Sequence, residues 1–337
     1  MNILVAGGAG YIGSHTCVVL LEAGYNVIVA DNLCNSKAVV IDMINKITGK
    51  KLLFYNVDVT DESSVDSIFS KHRVDGVMHF AGLKSVGESV EKPLDYYCNN
   101  IIATLVLIKA CIKYKVSNFV FSSSATVYGD NDVPFKETMQ LRPASNPYGE
   151  TKVMSEKILT DIAKVNSDFS VSLLRYFNPV GAHESGLIGE EPNGIPNNLM
   201  PYIVRVASGR LKKLHIYGND YPTVDGTGVR DYIHVADLAE GHVAALNIIK
   251  PGINIYNLGT GKGTSVLQLV KAFEKINGIE VPYEITARRE GDIAECYADV
   301  SRAELELGWK AVRSVEDMCM DAWRFETSSF EARTKPL

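Results

Sequence analysis

Tyr148 and Lys152 are the residues whose types and spacing most directly indicate chemistry. They stand four positions apart in the segment Pro147-Tyr148-Gly149-Glu150-Thr151-Lys152. If this segment forms the first turns of a helix, side chains at positions i and i+4 are neighbours, and a phenol and an ammonium would share one site. The alternative is an exposed ring and a solvated lysine on an ordinary surface helix, and the pair by itself does not exclude it.

The residues just before Tyr148 predict where this helix begins. Ser145 or Asn146 can cap it and Pro147 suits its first position, so Tyr148 would lie near the positive end of the helix dipole. A free tyrosine has a pKa near 10, so a phenolate base at neutral pH requires a shift of about 3 units, or roughly 4 kcal/mol. Lys152, the helix terminus and a cationic cofactor would jointly supply that shift.

A glycine-rich turn after the first predicted strand is typical of dinucleotide binding. Gly7, Gly10 and Gly13 follow an apolar run and precede a helical pattern. In such turns the first glycine permits the bend, the second lets a pyrophosphate approach the backbone, and the third lets helix and strand pack closely. Asp31 ends the next predicted strand, and its carboxylate would bind ribose hydroxyls and repel a 2′-phosphate, which favours NAD over NADP. A purely structural turn is the alternative.

Short apolar runs alternate with amphipathic helical patterns through the first half of the chain. The alternation predicts an α/β fold with a Rossmann-type, doubly wound parallel sheet, covered by helices on both faces. Ligands of such sheets bind at the carboxyl ends of the strands. Asp58 is therefore expected to meet adenine, and residues 80–84 to pass under the cofactor, with Lys84 on its pyrophosphate. His79, inside an apolar strand, is expected to be a satisfied core residue.

Three consecutive serines follow the strand predicted at 118–121. Ser122 to Ser124 would lie at the carboxyl end of a core strand beside the cofactor. Hydroxyls at that place suit a hydrogen bond to a substrate alcohol, and Ser124 is the candidate. A plain turn of small polar residues is the alternative.

The helix predicted at 93–116 is apolar on nearly all sides. Ile101, Leu105, Ile108 and Ile112 recur along it. The pattern indicates burial on two sides. A dimer interface and packing against the sheet explain it equally well.

The composition of the chain changes near residue 178. Residues 183–200 are rich in Gly, Pro and Asn without periodicity, which is typical of a long functional loop. We predict an NAD-binding domain over residues 1–178 and a smaller α/β domain for the substrate over 179–337. Part of the second domain, about 228–250, is expected to pack back on the first.

Two arginines beyond that boundary suit a diphosphate. Arg230 lies in Gly228-Val229-Arg230-Asp231-Tyr232-Ile233-His234-Val235, and Arg289 lies in Arg288-Arg289-Glu290-Gly291-Asp292. A guanidinium group binds phosphate oxygens through two parallel hydrogen bonds. For each arginine, a surface ion pair is the alternative.

The composition of the chain limits the kinds of molecule that the protein is expected to bind. The 337 residues are 46% apolar and 22% charged, which is ordinary for a globular protein. A net charge of −6 without a basic run argues against a nucleic-acid groove or a membrane-surface patch, so small molecules are the expected partners. The six cysteines show no zinc spacing and fall mostly in apolar segments, which predicts reduced core thiols and no metal site. A cytoplasmic location is the default, because no apolar run reaches 18 residues and no signal-type segment precedes the first predicted strand.

These motifs together resemble the extended short-chain dehydrogenase/reductase family, and within it the UDP-glucose 4-epimerases. The resemblance runs nearly end to end. It is carried by the glycine turn, Ser124, Tyr148, Lys152, residues 230–235, and the stretches 80–84, 122–129, 175–182, 194–200 and 288–292.

The resemblance implies reversible 4-epimerisation of UDP-glucose and UDP-galactose in galactose metabolism, by a homodimer. Tyr148 would remove the proton of the sugar 4′-hydroxyl while C4′ gives hydride to a tightly held NAD+. The 4-keto sugar would turn over within the site and take hydride and proton back on its other face. Lys152 would bind the nicotinamide ribose and lower the pKa of Tyr148, and Ser124 would hydrogen-bond the 4′-oxygen.

The resemblance also implies which residues line the two ligands. The cofactor set is Gly7, Gly10, Tyr11, Ile12, Gly13, Asp31, Asn32, Asn35, Ser36, Asp58, Val59, Phe80, Ala81, Gly82, Lys84, Asn99, Ser122, Tyr148, Lys152 and Phe177. The substrate set is Ser124, Tyr148, Asn178, Asn198, Leu199, Tyr217, Arg230, Arg289, Asp292 and Cys296. Anchoring has to fall on the nucleotide, because the hexose must turn without escaping.

Cys296 departs from the form of the family best known in enteric bacteria. Those enzymes have a bulky tyrosine two residues before Ala-Asp, which here is Ala298-Asp299. A small residue at this place is associated in the family with room for a 2-acetamido group. We therefore predict that UDP-N-acetylglucosamine and UDP-N-acetylgalactosamine are also interconverted. The alternative is a cysteine at a strand end with no bearing on specificity.

Two rival functions are weaker. A sugar-nucleotide 4,6-dehydratase uses the same tyrosine and lysine but needs Asp-Glu after the serine or threonine, where this chain has Ala125-Thr126. A non-catalytic NAD-binding regulator usually loses the tyrosine or the lysine. Both are present here together with Ser124.

Overall fold

The computed structural model describes residues 1–248, 250–289 and 291–334, with side chains through residue 328. Glu290, which belongs to a motif quoted above, and residues 249 and 335–337 of the predicted second domain lie outside the described residues. The strands are β1 (Asn2–Ala6), β2 (Asn26–Asp31), β3 (Leu53–Asn56), β4 (Gly76–His79), β5 (Asn118–Ser122), β6 (Ser170–Tyr176), β7 (Asn178–Val180), β8 (Leu214–Tyr217), β9 (Val229–Arg230), β10 (Tyr232–His234), β11 (Gly252–Leu258), β12 (Thr264–Ser265), β13 (Tyr283–Thr286) and β14 (Glu295–Cys296). The helices are α1 (Tyr11–Glu22), α2 (Val39–Thr48), α3 (Glu62–Lys71), α4 (Val86–Glu91), α5 (Pro93–Tyr114), α6 (Pro147–Val165), α7 (Leu199–Ala207), α8 (Val235–Asn247), α9 (Val266–Asn277), α10 (Ser301–Leu307) and α11 (Val315–Thr334).

Within the described chain, seven strands form one parallel sheet in the order β11-β6-β5-β4-β1-β2-β3. The order reverses at β1, which has β4 on one side and β2 on the other. This reversal is the topological switch point of the sheet. Doubly wound sheets bind their ligands in the crevice at this point. The predicted Rossmann-type fold is confirmed.

The two faces of β1 pack into two separate cores. Ile3 and Val5 join the core formed with α1, α2 and α8, whereas Leu4 and Ala6 join the core formed with α3, α5 and α6. All four residues are completely buried. A strand covered on both faces must be apolar at every position, which explains the continuous apolar run that opens the chain.

The second half of the chain forms a smaller unit with a core of its own. Its short sheets are β7 with β10, β8 with β13, and β12-β9-β14. They pack with α7, α9 and α11 around a third apolar core. The chain also returns to the main sheet, because α8 packs on α1 and β11 pairs with β6. Both α8 and β11 thus lie against the first part of the chain.

The helix predicted at 93–116 ends two residues earlier than expected, at Tyr114. Lys115 adopts the left-handed conformation with a φ of 58°, and its N–H caps the helix on the carbonyls of Cys111 and Ile112. The apolar pattern continued past this point because Val116 is buried. Hydrophobic periodicity does not detect a left-handed cap.

The turn after β1 requires glycine because neighbouring backbone atoms pack closely against it. A Cβ at Gly13 would lie 2.3 Å from the Gly7 carbonyl oxygen, and one at Gly7 would lie 2.6 Å from the Ala81 nitrogen. Gly7 also has a φ of 80°, which a side chain disfavours. The start of α1 therefore lies against the end of β1 and beside the segment after β4.

We expect Gly13→Ala to lower the free energy of unfolding by about 1–3 kcal/mol, because the new methyl group overpacks the turn against backbone atoms. The measurement is the midpoint of urea-induced unfolding. Gly87→Ala is the matched control, because nothing lies within 4 Å of a Cβ at Gly87 in α4. Equal stability of the two variants would contradict this account of the turn.

Candidate active site

One large cavity, of about 500 Å³, opens at the carboxyl edge of the main sheet. The ends of β1, β2, β4, β5 and β6 all contribute to it, through Gly7, Asp31, Phe80, Ser122 and Tyr176. Backbone amides at the start of α1 face the same space, as expected of a site for a diphosphate. The switch point of the sheet thus holds the cavity that its topology predicts.

The residues present fit a dinucleotide. The glycine turn leaves no side chain between the cavity and the start of α1, since Gly10 precedes Tyr11 there. Asp31 lies at the end of β2, where its carboxylate accepts hydrogen bonds from the Ala9 N–H at 3.0 Å and the Ser36 hydroxyl at 2.9 Å. Asp58 lines the same end of the cavity and accepts from the Asn32 amide at 2.9 Å. Two carboxylates here disfavour a 2′-phosphate, which suits NAD.

Nineteen of the twenty residues predicted for the cofactor line this cavity. The exception is Phe177. Its side chain packs in an aromatic cluster with Tyr128 and Phe135, and its ring centroid lies 6.2 Å from that of Phe135. Tyr176, which was not predicted, lines the cavity instead, because successive side chains at a strand end point to opposite sides.

Tyr148 and Lys152 meet at the inner wall of the cavity, beneath the end of β5. Asn146 caps α6 by accepting from the Gly149 N–H at 2.9 Å, and Pro147 is the first helical residue, as predicted. The Lys152 ammonium lies 5.8 Å from the centroid of the Tyr148 ring and donates to the Ser122 carbonyl at 2.7 Å. The structure therefore places the phenol and the ammonium in one buried site, not on an exposed helix face.

Ser124 completes this group. It precedes a short 3₁₀ turn at Ala125–Tyr128, and its hydroxyl accepts from the Thr126 N–H at 3.2 Å and the Thr126 hydroxyl at 3.0 Å. A hydrogen bond links the Ser124 hydroxyl to the Tyr148 phenol. With two donors already on its oxygen, the Ser124 hydroxyl proton stays directed toward other acceptors.

Burial opposes the charges that a phenolate base needs. It raises the pKa of Tyr148 above its ordinary value, the Tyr176 phenol adds to that effect, and the hydrogen bond with Ser124 lowers it. Burial also lowers the pKa of Lys152 to about 8, while the Glu156 carboxylate acts in the opposite direction. This desolvation opposes the stabilisation of a phenolate that is expected from Lys152, the helix terminus and a cationic cofactor.

His79 is a core residue, as predicted, but only one of its ring nitrogens is satisfied, since Nδ1 is buried without a hydrogen-bond partner among the described residues. It is buried, and its Nε2 lies 3.1 Å from the Thr104 hydroxyl. Burial lowers the pKa of its imidazole to about 3, and the Lys152 charge adds to that shift. The ring is neutral and takes no protons in the working pH range.

Residues 186–193 cover the cavity and were not predicted to line it. Glu190 in this loop accepts from the Lys84 ammonium at 2.8 Å and from the Asn198 amide at 2.6 Å. Lys84 thus lines the cavity but forms an ion pair with Glu190. The sequence indicated a functional loop here, but nothing in its irregular pattern showed which side of the molecule it covers.

Five of the ten residues predicted for the substrate form a second cluster. The Arg289 guanidinium lies 3.8 Å from the centroid of the Tyr217 ring, and an Arg230 nitrogen lies 3.6 Å from an Asp292 carboxylate oxygen. The Asp292 N–H donates to the Arg289 carbonyl at 3.3 Å, which joins the two pairs. Cys296 lies opposite Arg230 in the pairing of β14 with β9.

Three more of the predicted residues stand at the starts of β7 and α7. Asn178 begins β7, where its N–H donates to the Asp231 carbonyl at 3.0 Å. Asn198 and Leu199 start α7 beside Glu190. The loop that carries Arg289 and Asp292 also reaches the approach to α6, since a Cβ at Gly291 would lie 3.8 Å from that of Ser145.

Comparisons with known proteins agree with this geometry. Residues 3–259 match the model of the NAD dependent epimerase/dehydratase family. A UDP-glucose 4-epimerase of Bacillus subtilis is 58% identical over 332 residues, which are 98% of each chain. No helix of the described residues is long and apolar enough to cross a membrane.

Two solved structures are also similar. A UDP-glucose 4-epimerase of Bifidobacterium longum, in complex with NAD+ and UDP, has a TM-score of 0.95 and 52% identity over 97% of this chain and 98% of that one. A UDP-glucose 4-epimerase of Stenotrophomonas maltophila, with NAD and formylated UDP-arabinopyranose, has a TM-score of 0.96 and 50% identity over 98% and 99% of the two chains. With its glycine turn, its buried Tyr148 and Lys152 and its near-complete match to these proteins, this chain belongs to the NAD dependent epimerase/dehydratase family and groups there with the UDP-glucose 4-epimerases.

Proposed function

We propose that this chain catalyses the reversible 4-epimerisation of UDP-glucose and UDP-galactose, in galactose metabolism, with NAD held in the main cavity. The observation that carries the proposal is the meeting of Tyr148 and Lys152 at the inner wall of that cavity, with Ser124 hydrogen-bonded to the Tyr148 phenol. When bound, NAD supplies reversible hydride acceptance. The residues of the chain supply proton transfer, orientation and exclusion of water.

Tyr148 is the acid and base of the proposed reaction. Its phenol oxygen takes the proton of the sugar 4′-hydroxyl as the carbonyl forms and gives it back as the carbonyl is reduced. Lys152 lies close enough to stabilise the phenolate, and Ser124 holds the 4′-oxygen through its hydroxyl. Tyr148 is only 8% exposed, so bulk water does not compete for the proton.

The cluster around Arg230 and Arg289 is the proposed site for UDP. Guanidinium groups bind the diphosphate strongly, and the Tyr217 ring adds a flat surface. Firm binding there leaves the hexose free to present either face to one hydride acceptor. We therefore assign NAD to residues 1–178 and the UDP-sugar to 179–337, with about 228–250 packed back on the first part.

The dehydratase alternative requires acid and base groups beside Ser124. The next two positions hold Ala125, whose methyl group is buried, and Thr126, whose hydroxyl donates to Ser124. Neither side chain can protonate a departing hydroxyl and also remove a proton from carbon. The arrangement favours epimerisation over elimination of water.

Tyr148→Phe is expected to lower the rate at least about 10²-fold, because it removes the proton acceptor and keeps the ring. The measurement is chromatographic conversion of UDP-galactose to UDP-glucose without added NAD. Tyr283→Phe, on β13 and partly exposed, is the control and should leave the rate unchanged. Near-normal turnover by Tyr148→Phe with intact fold and bound NAD would show that another group is the base.

We further propose that the site accepts UDP-N-acetylglucosamine and UDP-N-acetylgalactosamine. Cys296 lies opposite Arg230 and packs beside the cluster around Phe177, between the proposed UDP site and the segment after Ser124. Burial raises the pKa of its thiol to about 12, so the side chain is neutral and acts through its small size. A small neutral group there leaves room for an acetamido substituent.

Cys296→Tyr is expected to lower turnover of the N-acetylated pair at least about 10-fold relative to the unsubstituted pair, because the ring fills that room. Both substrate pairs are assayed on each variant. Cys296→Ala keeps a small side chain and should retain both activities. Absence of N-acetylhexosamine turnover in the wild-type protein would end this part of the proposal.

A cytoplasmic homodimer is the proposed state of the protein. The six cysteines are free, which suits a reducing compartment, although Cys34 and Cys98 are exposed and are not the core thiols that were predicted. On α5, Ile102, Leu105 and Ile112 are 41%, 40% and 46% exposed, although the opposite side of the helix packs on the sheet. Exposed apolar groups that share one helix suit an interface.

Leu105→Glu is expected to shift the protein from dimer to monomer, because a carboxylate would be desolvated in the interface. Light scattering after size-exclusion chromatography measures the mass in solution. Leu305→Glu, at an 85% exposed position of α10, is the control. A wild-type monomer, or a Leu105→Glu dimer of equal strength, would refute this surface.

A further inference from the structure

A buried ion pair lies directly behind the catalytic residues. An Arg175 nitrogen lies 2.6 Å from one oxygen of the Glu156 carboxylate, and the Arg175 Nε donates to the other oxygen at 3.0 Å. Their side chains are 4% and 6% exposed. The Ser123 hydroxyl donates a further hydrogen bond to the carboxylate at 2.6 Å.

Glu156 shares a helix face with the reacting groups. It lies four residues after Lys152 on α6, and Lys152 lies four residues after Tyr148. Side chains at this spacing are neighbours on one face of a helix. The carboxylate is therefore the next group behind the Lys152 ammonium on the side away from the cavity.

Glu156 also holds the strand end that faces the cavity. The three serines after β5 divide the contacts between them: the Ser122 carbonyl accepts from Lys152, Ser123 bonds Glu156, and Ser124 bonds the Tyr148 phenol. Because Ser123 lies between the other two, its fixed hydroxyl limits the movement of both neighbours.

Stability alone does not account for this pair. Removing two charges from water costs several kcal/mol per ion, and well-packed apolar residues often replace a buried pair without loss. The rest of the setting is rigid, since Arg175 lies 4.9 Å over the Tyr128 ring and the Tyr128 hydroxyl donates to Asn257 at 2.6 Å.

We propose that Glu156 is a positioning residue for the reaction: its carboxylate holds Ser122 and Ser124 in place through Ser123 and keeps Lys152 as the ammonium. The inference rests on the proposed function, because it concerns how Lys152 and Ser124 serve that reaction. It assigns a role to a residue that contacts neither the sugar nor the cofactor cavity.

The charges around Lys152 define the sign of the effect. The titratable and charged side chains that face it or its neighbours are Tyr148, Glu156, His79, Tyr96, Arg175 and Tyr176. Burial raises the pKa of Tyr176 and of Tyr96, and His79 is neutral, so Glu156 carries the negative charge of this group near neutral pH. Its loss would also leave the Arg175 charge without a counter-ion.

Both changes disfavour the Lys152 ammonium. The pKa of Lys152 is about 8 with burial lowering it and Glu156 raising it. Without the carboxylate the pKa falls further, and Lys152 loses its proton at a lower pH. Activity that needs the ammonium is then kept at acidic pH and lost earlier as the pH rises.

The test is Glu156→Gln in the full chain, with kcat and KM for UDP-galactose measured from pH 6 to 9. The alkaline fall in kcat is expected to move down by about one pH unit, so that kcat at pH 8 drops several-fold while the loss at pH 6 is small. KM should hold, because the proposed UDP site is remote from Glu156. Asp161→Asn, an exposed acid of the same helix, should leave the profile unchanged.

A loss of kcat that is equal at every pH would overturn the electrostatic role, because a purely structural defect does not shift the profile. Glu156→Asp provides the second arm and keeps the charge if Glu156→Gln does not fold. Its shorter side chain moves the carboxylate away from Ser123, so kcat should fall several-fold. The pH at which kcat falls on the alkaline side should be the same as in the wild-type protein. Wild-type kcat in that variant would overturn the positioning role. An inactive wild-type protein would instead refute the proposed function itself.

Discussion

Helices cover both faces of the parallel sheet, and this constraint determines where chemistry can occur. The central strands of the sheet are buried on each side, and most of their side chains are apolar. Polar groups that bind a ligand must then converge at the carboxyl edge, where five strands end around one cavity. The glycine turn, Asp31, Ser122, Tyr176 and the start of α6 all meet there for this reason.

The cost of that burial is electrostatic. A phenol and an ammonium that would titrate near their ordinary pKa values in water are both pushed toward their neutral forms in the site. The structure opposes this with fixed groups: a helix N-terminus near Tyr148, the Ser124 hydroxyl, the Ser122 carbonyl on Lys152 and the Glu156 carboxylate behind it. The chemistry thus depends on an arrangement of charges that spans α6, β5 and β6.

In the proposed function, the second part of the molecule anchors the substrate, and the reaction takes place at the main cavity. Arg230 contacts a carboxylate and Arg289 contacts an aromatic ring. Both lie in a cluster on short strands beside the main sheet. The returning helix α8 and strand β11 tie that part to the main sheet, so the two clusters keep a defined separation. In the proposed function, a nucleotide held by this cluster leaves the sugar free to turn beside Tyr148, with Ser124 as the further contact of the sugar.

The sequence alone determined the fold class, the glycine turn, the acid at the end of β2 and the Tyr148–Lys152 pair, because each depends on local spacing along the chain. It also predicted a cap at Ser145 or Asn146, and the structure shows that Asn146 is the cap. It assigned Phe177 to the cofactor, whereas the alternation of side chains at the end of β6 places Tyr176 there. Only the tertiary structure decided that the loop at 186–193 covers the cavity, that Glu190 pairs with Lys84, and that Glu156 lies behind Lys152 with Arg175. Those contacts join residues distant along the chain, and the desolvation that shifts their pKa values exists only once the core has formed.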